Sequence, residues 1–301
     1  MDQLSAMRAM LRVVDTGSFS AAARQLGIGQ PAVSRAVAQI EAKLGVRLLA
    51  RTTRGLSVTD AGQRYCAIAR RALEAAEEAE AAARDAGAAL SGRLRIAMAV
   101  SFGRLQVVPR LAQFMAAHPD LSIDAVMDDR PIDLIEEGID VALRLGPQPD
   151  SRLSGRMVAS RRRLLVAAPA YLARHGMPER PAALASHDVI SLLQPGIAAS
   201  WTFSRGGETE TVTLTGRLRM TANEGVREAV IAGMGIAFGS EWGYERELRE
   251  GRLQAVLSDW SLPPSDLWAI TPAGRQMSAK ARVFVAFIER QLKYPPAKLP
   301  D

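Results

Sequence analysis

The chain has 301 residues, which is enough for two or more domains that each bury a core. Its composition, 48% hydrophobic and 23% charged, is ordinary for a globular protein, and no uncharged apolar run of about eighteen residues predicts a membrane span. Charged residues near the start (Asp2, Arg8, Arg12 and Asp15) exclude a typical signal peptide, and a single cysteine excludes an internal disulfide, so we expect a cytoplasmic protein.

The positive charge is concentrated at the start of the chain. Residues 1–58 contain eight basic residues and three acidic ones, so this fifth of the chain carries +5 of the overall +6. Such asymmetry favours contact with a polyanion such as nucleic acid. A solvated basic face would give the same count, so charge alone leaves both interpretations open.

Three helices are predicted before Gly45. Apolar residues recur at helical spacing over residues 3–16, and Ser18 is a suitable N-cap for a second helix. The glycines in Gly27-Ile28-Gly29 end that helix, and Pro31 fits the first turn of a third one, where its missing N–H costs nothing.

The third helix has an inner apolar face and an outer face suited to DNA. The inner face is formed by Val33, Val37, Ile40 and Leu44. The outer face carries small residues flanked by Gln30, Ser34 and Arg35, where a helix that meets only solvent would carry Glu and Lys. Small residues allow close approach to a partner, and Gln and Arg can pair with base edges. Two helices joined by a glycine turn, with this outer face, indicate a helix-turn-helix.

A short hairpin and a long helix follow. Residues 46–59 predict two strands, near 47–51 and 56–59, and the residues at the tip (Arg51, Thr53 and Arg54) could contact phosphates. An ordinary surface hairpin would have the same pattern. From Thr59 or Asp60 to about Leu90, an alanine-rich helix would extend roughly 45–50 Å, too long to be buried in a small domain.

A narrow apolar stripe on the long helix suits pairing with another helix, and we expect the same helix of a second chain. The stripe is formed by Tyr65, Ile68, Ala69, Ala72, Leu73, Ala76 and Ala79. Cys66 lies on this helix as well. A disulfide between two chains is conceivable there, but a thiol without a function is the simpler interpretation.

From Gly92 onward, strands alternate with helices, which predicts an α/β fold with a parallel sheet. The predicted strands are 94–100, 122–127, 140–146, 162–169, 189–193, the end of 223–240, and 266–272. Predicted helices follow Ser101, occupy residues 131–138 and 279–293, and open the segment at Asn223. Two crossings of the chain fit two subdomains joined by a hinge.

The cleft between two such subdomains is the natural ligand site. Ser101 and Phe102 lie where a strand leads into a helix, so free N–H groups could face an anion, and Asn223 and Glu224 begin another helix. Arg144, at the end of a strand, could pair with a carboxylate. Each could equally serve as a local cap or in a surface ion pair. The candidate effector-binding set is Ser101, Phe102, Arg144, Gly146, Asn223 and Glu224.

No motif predicts an enzyme, a cofactor or a metal site. His118, His175 and His187 lie apart, without a second ligand at helical or hairpin spacing. The glycines of residues 233–239 have the wrong spacing for a dinucleotide loop and precede a strand. GSEWG at residues 239–243 lacks the spacing of a hydrolase nucleophile elbow.

Residues 17–62 read GSFSAAARQLGIGQPAVSRAVAQIEAKLGVRLLARTTRGLSVTDAG, which closely resembles the DNA-binding domain of LysR-type transcriptional regulators. The motifs GSFSAAA, QPAVS, IE, LG and VTDAG carry the resemblance. It implies a winged helix-turn-helix with residues 19–38 as its core, but Gly29 and Leu49 replace a usual serine cap and a usual phenylalanine. The implied DNA-binding set, in the major groove and on the backbone or in the minor groove, is Ser20, Gln30, Pro31, Ser34, Arg35, Arg51, Thr53 and Arg54.

The resemblance continues at lower specificity through DDRPIDLIEEGIDVALRLG and AGMGIAFGS. It implies a C-terminal effector domain of two α/β subdomains, resembling type 2 periplasmic binding proteins. The expected division is a DNA-binding domain at 1–58, a dimerisation helix at 59–91 and an effector domain at 92–301, with subdomain I at about 92–161 and 269–295 and subdomain II at about 162–268.

We therefore predict a sequence-specific transcriptional regulator that binds a pseudo-palindromic operator as a homodimer, or as a tetramer or larger assembly, without a membrane partner. A small-molecule effector, an organic acid by what the family implies, would control it. One alternative is a general DNA-organising protein that forms oligomers and has no effector. Another is a solute-binding protein or enzyme with an added helical domain, which the lack of a signal peptide and of a catalytic cluster disfavours.

Overall fold

The structure, a computed structural model, describes residues 2–52, 55–84, 90–146, 153–193, 200–272 and 277–293. It divides into two compact units: Met1–Gly92 with Asp133–Ile139, and Arg93–Ile132 with Asp140–Asp301. Within these ranges, no helix combines the length and the apolar character needed to cross a bilayer.

Helices and one β-hairpin form the described part of the first unit. They are α1 (Gln3–Thr16), α2 (Phe19–Leu26), α3 (Gln30–Leu44), β1 (Leu49–Thr52), β2 (Gly55–Val58) and α4 (Asp60–Arg84). The antiparallel hairpin pairs Leu49 with Val58 and Thr52 with Gly55. The predicted order of three helices, a hairpin and a long helix is therefore present, and residues 85–89 of the predicted long helix lie outside the described residues.

Glycines shape the turn between α2 and α3. The Ser18 hydroxyl accepts a hydrogen bond from the Ala21 N–H at 3.3 Å, which caps the start of α2. The helix ends at Gly27, whose φ of 65° lies in the left-handed region that favours glycine. Gly29 occupies the N-cap of α3 without a side-chain hydrogen bond, and Pro31 lies in the first turn. These local predictions are confirmed.

The buried face of α3 differs from the prediction at its end. Val33, Val37 and Ile40 are buried, but Leu44 is 46% exposed, so its prediction as an inner residue is wrong. Glu41 is buried in its place, since the segment that follows α3 folds back onto this side chain one turn before Leu44.

The carboxylate of Glu41 joins α3 to the start of the hairpin. Its Oε1 accepts hydrogen bonds from the N–H groups of Leu48 and Leu49, at 2.8 and 3.0 Å, and Arg47 donates to Oε2 at 3.0 Å. Burial by itself raises the pKa of Glu41, but the Leu49 and Leu48 amides and the Arg47 guanidinium outweigh it and hold that pKa below its usual range. The IE motif therefore has a structural role.

The junction between the hairpin and α4 requires a glycine. The Thr59 hydroxyl accepts from the Gly62 N–H at 3.0 Å, which caps α4. A Cβ on Gly62 would lie 2.1 Å from the backbone oxygen of Leu48, so any side chain there would force the hairpin away. The threonine and the glycine of the VTDAG motif thus fix where the long helix leaves the domain.

The apolar stripe of α4 divides between two environments. Ala69 and Leu73 are buried against α1 of the same chain, together with Cys66. Ile68 is 53% exposed and Ala79 is exposed as well. Burial raises the pKa of the Cys66 thiol, which disfavours the reactive thiolate. The prediction that the whole stripe pairs with a second chain is therefore wrong for its buried members, because α1 covers them.

The second unit alternates strands and helices. The elements that the sequence did not predict are the strands Leu153–Arg161, Ser200–Arg205, Glu208–Thr213, Leu218–Met220 and Gln254–Val256 and the helix Glu241–Arg249. Its first elements are β3 (Gly92–Met98), α5 (Val100–Phe102), a π-helical turn (Gly103–Val107), α6 (Val108–Ala117), β4 (Leu121–Met127), β5 (Val141–Leu145) and β6 (Leu153–Arg161). The others are β7 (Arg163–Ala167), α7 (Pro169–His175), a 3₁₀ turn (Pro181–Ser186), β8 (Val189–Leu192), β9 (Ser200–Arg205), β10 (Glu208–Thr213), β11 (Leu218–Met220), α8 (Asn223–Ile231), β12 (Ile236–Ser240), α9 (Glu241–Arg249), β13 (Gln254–Val256), β14 (Ser265–Pro272) and α10 (Ala279–Lys293).

Two five-stranded sheets organise the described part of the second unit. Sheet I has the order β4-β3-β5-β14-β6, and sheet II has the order β11-β8-β12-β7-β13. The strands β3 and β5 are parallel, as are β8, β11 and β12, but β14 and β7 run antiparallel to their neighbours. The α/β class is confirmed, whereas the predicted parallel sheet is found only in part, because the chain returns through β14 and β7.

Residues 131–138 form a turn and not the predicted helix. The carboxylate of Asp133 accepts from the N–H groups of Ile135 and Glu136, at 2.8 and 3.0 Å. Gly138 then adopts a φ of 62° and ends the turn at once. The apolar spacing was typical of a helix, but the glycine leaves room for only one turn.

We expect Glu41→Ala to destabilise the contact between α3 and the hairpin by about 1–3 kcal/mol, since it leaves two buried N–H groups unpaired. Glu41→Gln keeps an acceptor oxygen and should cost less. Because the pKa of Glu41 is lowered in the fold, its contribution is present at neutral pH and lost as the pH falls through that pKa. Hydrogen exchange at the Leu48 and Leu49 amides is the measurement, and a difference that grows in acid would contradict this account.

Candidate DNA-binding surface and effector cavity

The outer face of α3 presents the residues predicted to contact bases. The exposed side chains on it are Gln30, Pro31, Ser34 and Arg35. Val33 and Val37, on the opposite face, are buried in the core of the first unit. Because the core holds α3 from behind, these exposed side chains project from a rigid element.

A hydrogen bond within the protein orients one side chain of this face, whereas two others have no such bond. The Ser20 hydroxyl, on α2, donates to Oε1 of Gln30 at 3.1 Å, which orients the amide and leaves its NH₂ group pointing elsewhere. The side chains of Ser34 and Arg35 form no hydrogen bond or ion pair with any residue that the structure describes. Donors without a partner among the described residues are suited to base edges or phosphates.

The hairpin tip is described only in part. The backbone of Arg51 pairs with Leu56 in the ladder between β1 and β2. Thr53 and Arg54 lie outside the described residues. Their contact with the DNA backbone therefore remains a prediction from the sequence.

A cavity of about 790 Å³ lies among residues of both sheets in the second unit. Ser101, Phe102, Gly146 and Asn223, four of the six residues of the candidate effector-binding set, line it. Its volume is in the range of sites that bind small molecules. Four of the six predicted residues therefore lie around one cavity, whereas the other two do not line it.

Those two residues are Arg144 and Glu224. The Arg144 guanidinium donates to the backbone oxygen of Ile132 at 3.0 Å, and the residue does not line the cavity, so its role in binding a carboxylate stays a prediction from the sequence. Glu224 is occupied as well, since its carboxylate accepts from the Ser101 hydroxyl at 2.8 Å and from Arg104.

The two helix starts in the cleft already hold a carboxylate of the protein. Asp129 accepts from the N–H of Val100, at the start of α5, at 3.0 Å. Its other oxygen accepts from the N–H of Asn223, at the start of α8, at 2.8 Å. Together with the Ser101–Glu224 bond, this carboxylate links sheet I to sheet II. At each helix start, the first N–H group therefore binds a carboxylate of the protein.

A buried ion pair supports the cavity wall behind α8. Arg227 is 7% exposed and Glu247 is 2% exposed, and the Arg227 guanidinium donates to Glu247, to Glu228 at 2.8 Å and to the backbone oxygen of Gly243 at 3.1 Å. Burial strongly raises the pKa of the neighbouring Tyr244, so its phenol stays neutral. The charge of Arg227 is therefore compensated, although the residue lines the cavity.

The sequence missed the residues of sheet II and of the β9–β10 hairpin that form the other wall. Trp201 and Phe238 stack with their ring centroids 4.1 Å apart, and the Arg163 guanidinium lies 5.4 Å from the Trp201 centroid. Burial lowers the pKa of Arg163, and the charge of Asp266 partly opposes this. The missed signal was an arginine at the head of an apolar strand, RLLVA, but only the fold brings it beside Trp201.

The described residues contain no cluster of three His, Cys, Asp or Glu side chains arranged to hold a metal ion. His187 instead contacts the Tyr171 hydroxyl through Nδ1 at 3.3 Å, within the core on sheet II.

Comparison with known proteins assigns the two units. Residues 4–63 match the family model described as bacterial regulatory helix-turn-helix protein, lysR family, and residues 87–293 match the LysR substrate binding domain. The chain belongs to the LysR family of transcriptional regulators. It is thus a DNA-binding regulator with an effector-binding domain and not an enzyme, as the sequence predicted.

Full-length relatives support this membership. The probable HTH-type transcriptional regulator LtrA of Klebsiella pneumoniae is 35% identical over 281 residues, which cover 92% of this chain and 91% of the relative. The solved structure of CrgA, a LysR-type regulator from Neisseria meningitidis, is 30% identical with a TM-score of 0.62 and covers 96% of this chain and 99% of that one. The Vibrio cholerae virulence activator AphB is 29% identical with a TM-score of 0.58 over 97% and 99% of the two chains.

We expect Arg35→Ala to weaken binding to the regulator's own operator by about 1–3 kcal/mol and to relax its base preference, because a base contact is lost. Arg249→Ala removes the same charge from α9, far along the chain, and should change neither quantity. The affinity for the operator measures the first quantity, and the ratio of the affinities for the operator and for a scrambled duplex measures the base preference. Equal weakening on both duplexes would assign Arg35 to the phosphates and not to a base.

Proposed function

We propose that this LysR-family regulator binds a pseudo-palindromic operator with one α3 helix in each of two major grooves. The observation that carries the proposal is the pair Ser34 and Arg35, exposed on α3 and without a partner among the described residues. Gln30, oriented by Ser20, and Pro31 complete the candidate base-reading face. Arg51, Thr53 and Arg54 would contact the backbone or the minor groove at the hairpin tip.

We propose a homodimer formed through α4, which could assemble further into a tetramer. The exposure of Ile68 and Ala79 supports this, since these two apolar residues of α4 are not covered by α1. Two recognition helices in such a dimer would meet half-sites about one turn of DNA apart. A role on the chromosome would place the protein in the cytoplasm.

We further propose a division into a DNA-binding domain at 1–58, a linker helix at 59–91 and an effector domain at 92–301. The two sheets support subdomains within the last of these. The pairing of β14 with sheet I from Ser265 onward supports a return crossing before that residue, earlier than the expected 269.

The effector is proposed to be an organic acid that binds in the cavity, where Ser101, Phe102, Gly146 and Asn223 form part of the wall. An effector acts by binding one arrangement of the two sheets more tightly than another. The contacts between the sheets, from Asp129 to Asn223 and from Ser101 to Glu224, are the ones that such a shift would change. The resulting change in the spacing of the subunits would alter how the assembly bends DNA.

A general DNA-organising protein without an effector is the second candidate. It explains the basic first unit, but it assigns no role to a cavity of about 790 Å³ that is lined largely by apolar and aromatic residues. The regulator is therefore favoured.

Selection of genomic fragments by the purified full chain at physiological salt separates the two candidates. A regulator should enrich one or a few palindromic sites, because base contacts discriminate between sequences. A DNA-organising protein would recover fragments evenly, with one salt dependence for all of them. Even recovery would contradict the proposed function.

A further inference from the structure

We infer that the cavity recognises a flat aromatic carboxylate on sheet II, with Arg163 and Ser240 binding the carboxylate and Trp201 forming part of the wall beside the ring. This inference rests on the proposed effector-controlled function and names the chemical class of the effector. It places the acid group away from the helix starts that the sequence suggested.

The helix starts are unfavourable for an acid in this arrangement. Asp129 already accepts both first N–H groups, from Val100 and Asn223, and Glu224 lies beside Ser101. An effector carboxylate there would meet two carboxylates at short range, and like charges at close distance repel. We therefore place the effector carboxylate at a different wall of the cavity.

Arginines among the cavity-lining residues differ in how far their charge is compensated. Arg227 is paired with Glu247 and Glu228, and Arg219 is exposed to solvent. Arg163 is half-buried, and its guanidinium forms no hydrogen bond or ion pair with any described residue. The carboxylate of Asp266 acts on Arg163 through its charge but forms no direct ion pair with it, and it accepts a hydrogen bond from the Ser160 hydroxyl at 2.6 Å. A half-buried guanidinium without a direct ion pair keeps its N–H donors available for an anion.

The orientation of Arg163 suits a carboxylate. Its guanidinium lies 5.4 Å from the Trp201 centroid, over the ring. A guanidinium stacks with its flat face, whereas its N–H groups point outward in the plane. A contact of this kind with Trp201 is compatible with a bidentate pair between Arg163 and a carboxylate.

Ser240 supplies a second donor on the same face of sheet II. It is the cross-strand partner of Arg163 in the antiparallel pair of β7 and β12, and directly opposed residues point to the same face. Its Oγ is buried, has no hydrogen-bond partner among the described residues, and belongs to a residue that lines the cavity. A buried hydroxyl without a partner is costly unless a ligand or water satisfies it.

Aromatic side chains complete the site. Phe102, Trp201, Phe238, Trp242 and Tyr244 all line this cavity, although aromatic residues make up only 5% of the chain. Phe238 shares the sheet face of Ser240, two residues before it on β12. An apolar, flat ligand body gains most from such a wall, since aromatic rings prefer offset or edge contacts with one another.

Calorimetric titration of the full chain with benzoate, naphthoate and indole acetate tests the site. At least one of them should bind, and Arg163→Gln should lower its affinity about 10- to 100-fold, the loss expected for one charge-assisted pair. Ser240→Ala should lower it about three- to tenfold. Arg163→Lys keeps the positive charge but loses the paired N–H donors of the guanidinium. Its affinity for the acid should lie between those of the wild type and Arg163→Gln.

Controls separate charge from shape. Arg162→Gln makes the same charge change at the preceding residue, which is exposed, paired with Glu241 and absent from the cavity wall, and it should leave the affinity unchanged. The neutral amide of the acid that binds should bind the wild type more weakly than the acid itself does. Its affinity for Arg163→Gln should equal its affinity for the wild type. Its saturated-ring analogue should bind more weakly than the aromatic acid.

Several results would overturn the inference while leaving the proposed function intact. One is selective operator binding by a chain that binds none of the aromatic acids at millimolar concentration. Another is unchanged affinity in Arg163→Gln, and a third is loss of binding in Ser101→Ala but not in Arg163→Gln, which would return the acid to the helix starts. Failure to enrich any operator would instead contradict the proposed function itself.

Discussion

The carboxylate of Asp129 accepts hydrogen bonds from the first N–H groups of two helices, α5 and α8, that follow strands of different sheets. Each helix start carries partial positive charge, so one acid satisfies both at once. The Ser101–Glu224 bond lies beside it, and the two contacts hold sheet I against sheet II at the cavity. The shape of the cavity, and the position in it at which an anion can bind, depend on these carboxylates. Any motion that separates the two sheets must replace these hydrogen bonds with hydrogen bonds to water or to a ligand.

The DNA-binding unit depends on a comparable internal acid. Glu41 ties α3 to the hairpin through the Leu48 and Leu49 amides, while Gly62 allows α4 to start against the oxygen of Leu48. The recognition helix, the hairpin and the long helix therefore share one rigid junction. A displacement of α4 would be passed to the hairpin through atoms in contact. The VTDAG and IE motifs therefore have a structural role that is independent of any contact with DNA.

The sequence predicted features that depend on neighbouring residues more accurately than features that depend on residues far apart along the chain. Ser18, Gly27 and Pro31 were assigned correctly, because caps and glycine turns depend on a few neighbouring residues. Residues 131–138 were not, since Asp133 and Gly138 override an apolar spacing typical of a helix. The contact of Arg144 was not predicted, because the end of a strand does not reveal that its side chain reaches the Ile132 oxygen.

The sequence by itself determined the family, the helix-turn-helix with its outward Ser34 and Arg35, and the α/β class of the effector domain. These follow from dense local motifs and from periodicity, which record how each segment meets its own neighbours. Only the tertiary structure decided that Asp129 occupies the helix starts and that Arg163, Ser240 and Trp201 share one wall. Those residues are far apart along the chain, and the register of β7 against β12 together with the β9–β10 hairpin brings them together. No local pattern encodes a strand register between distant segments, so the chemistry of the cavity became visible only in the folded chain.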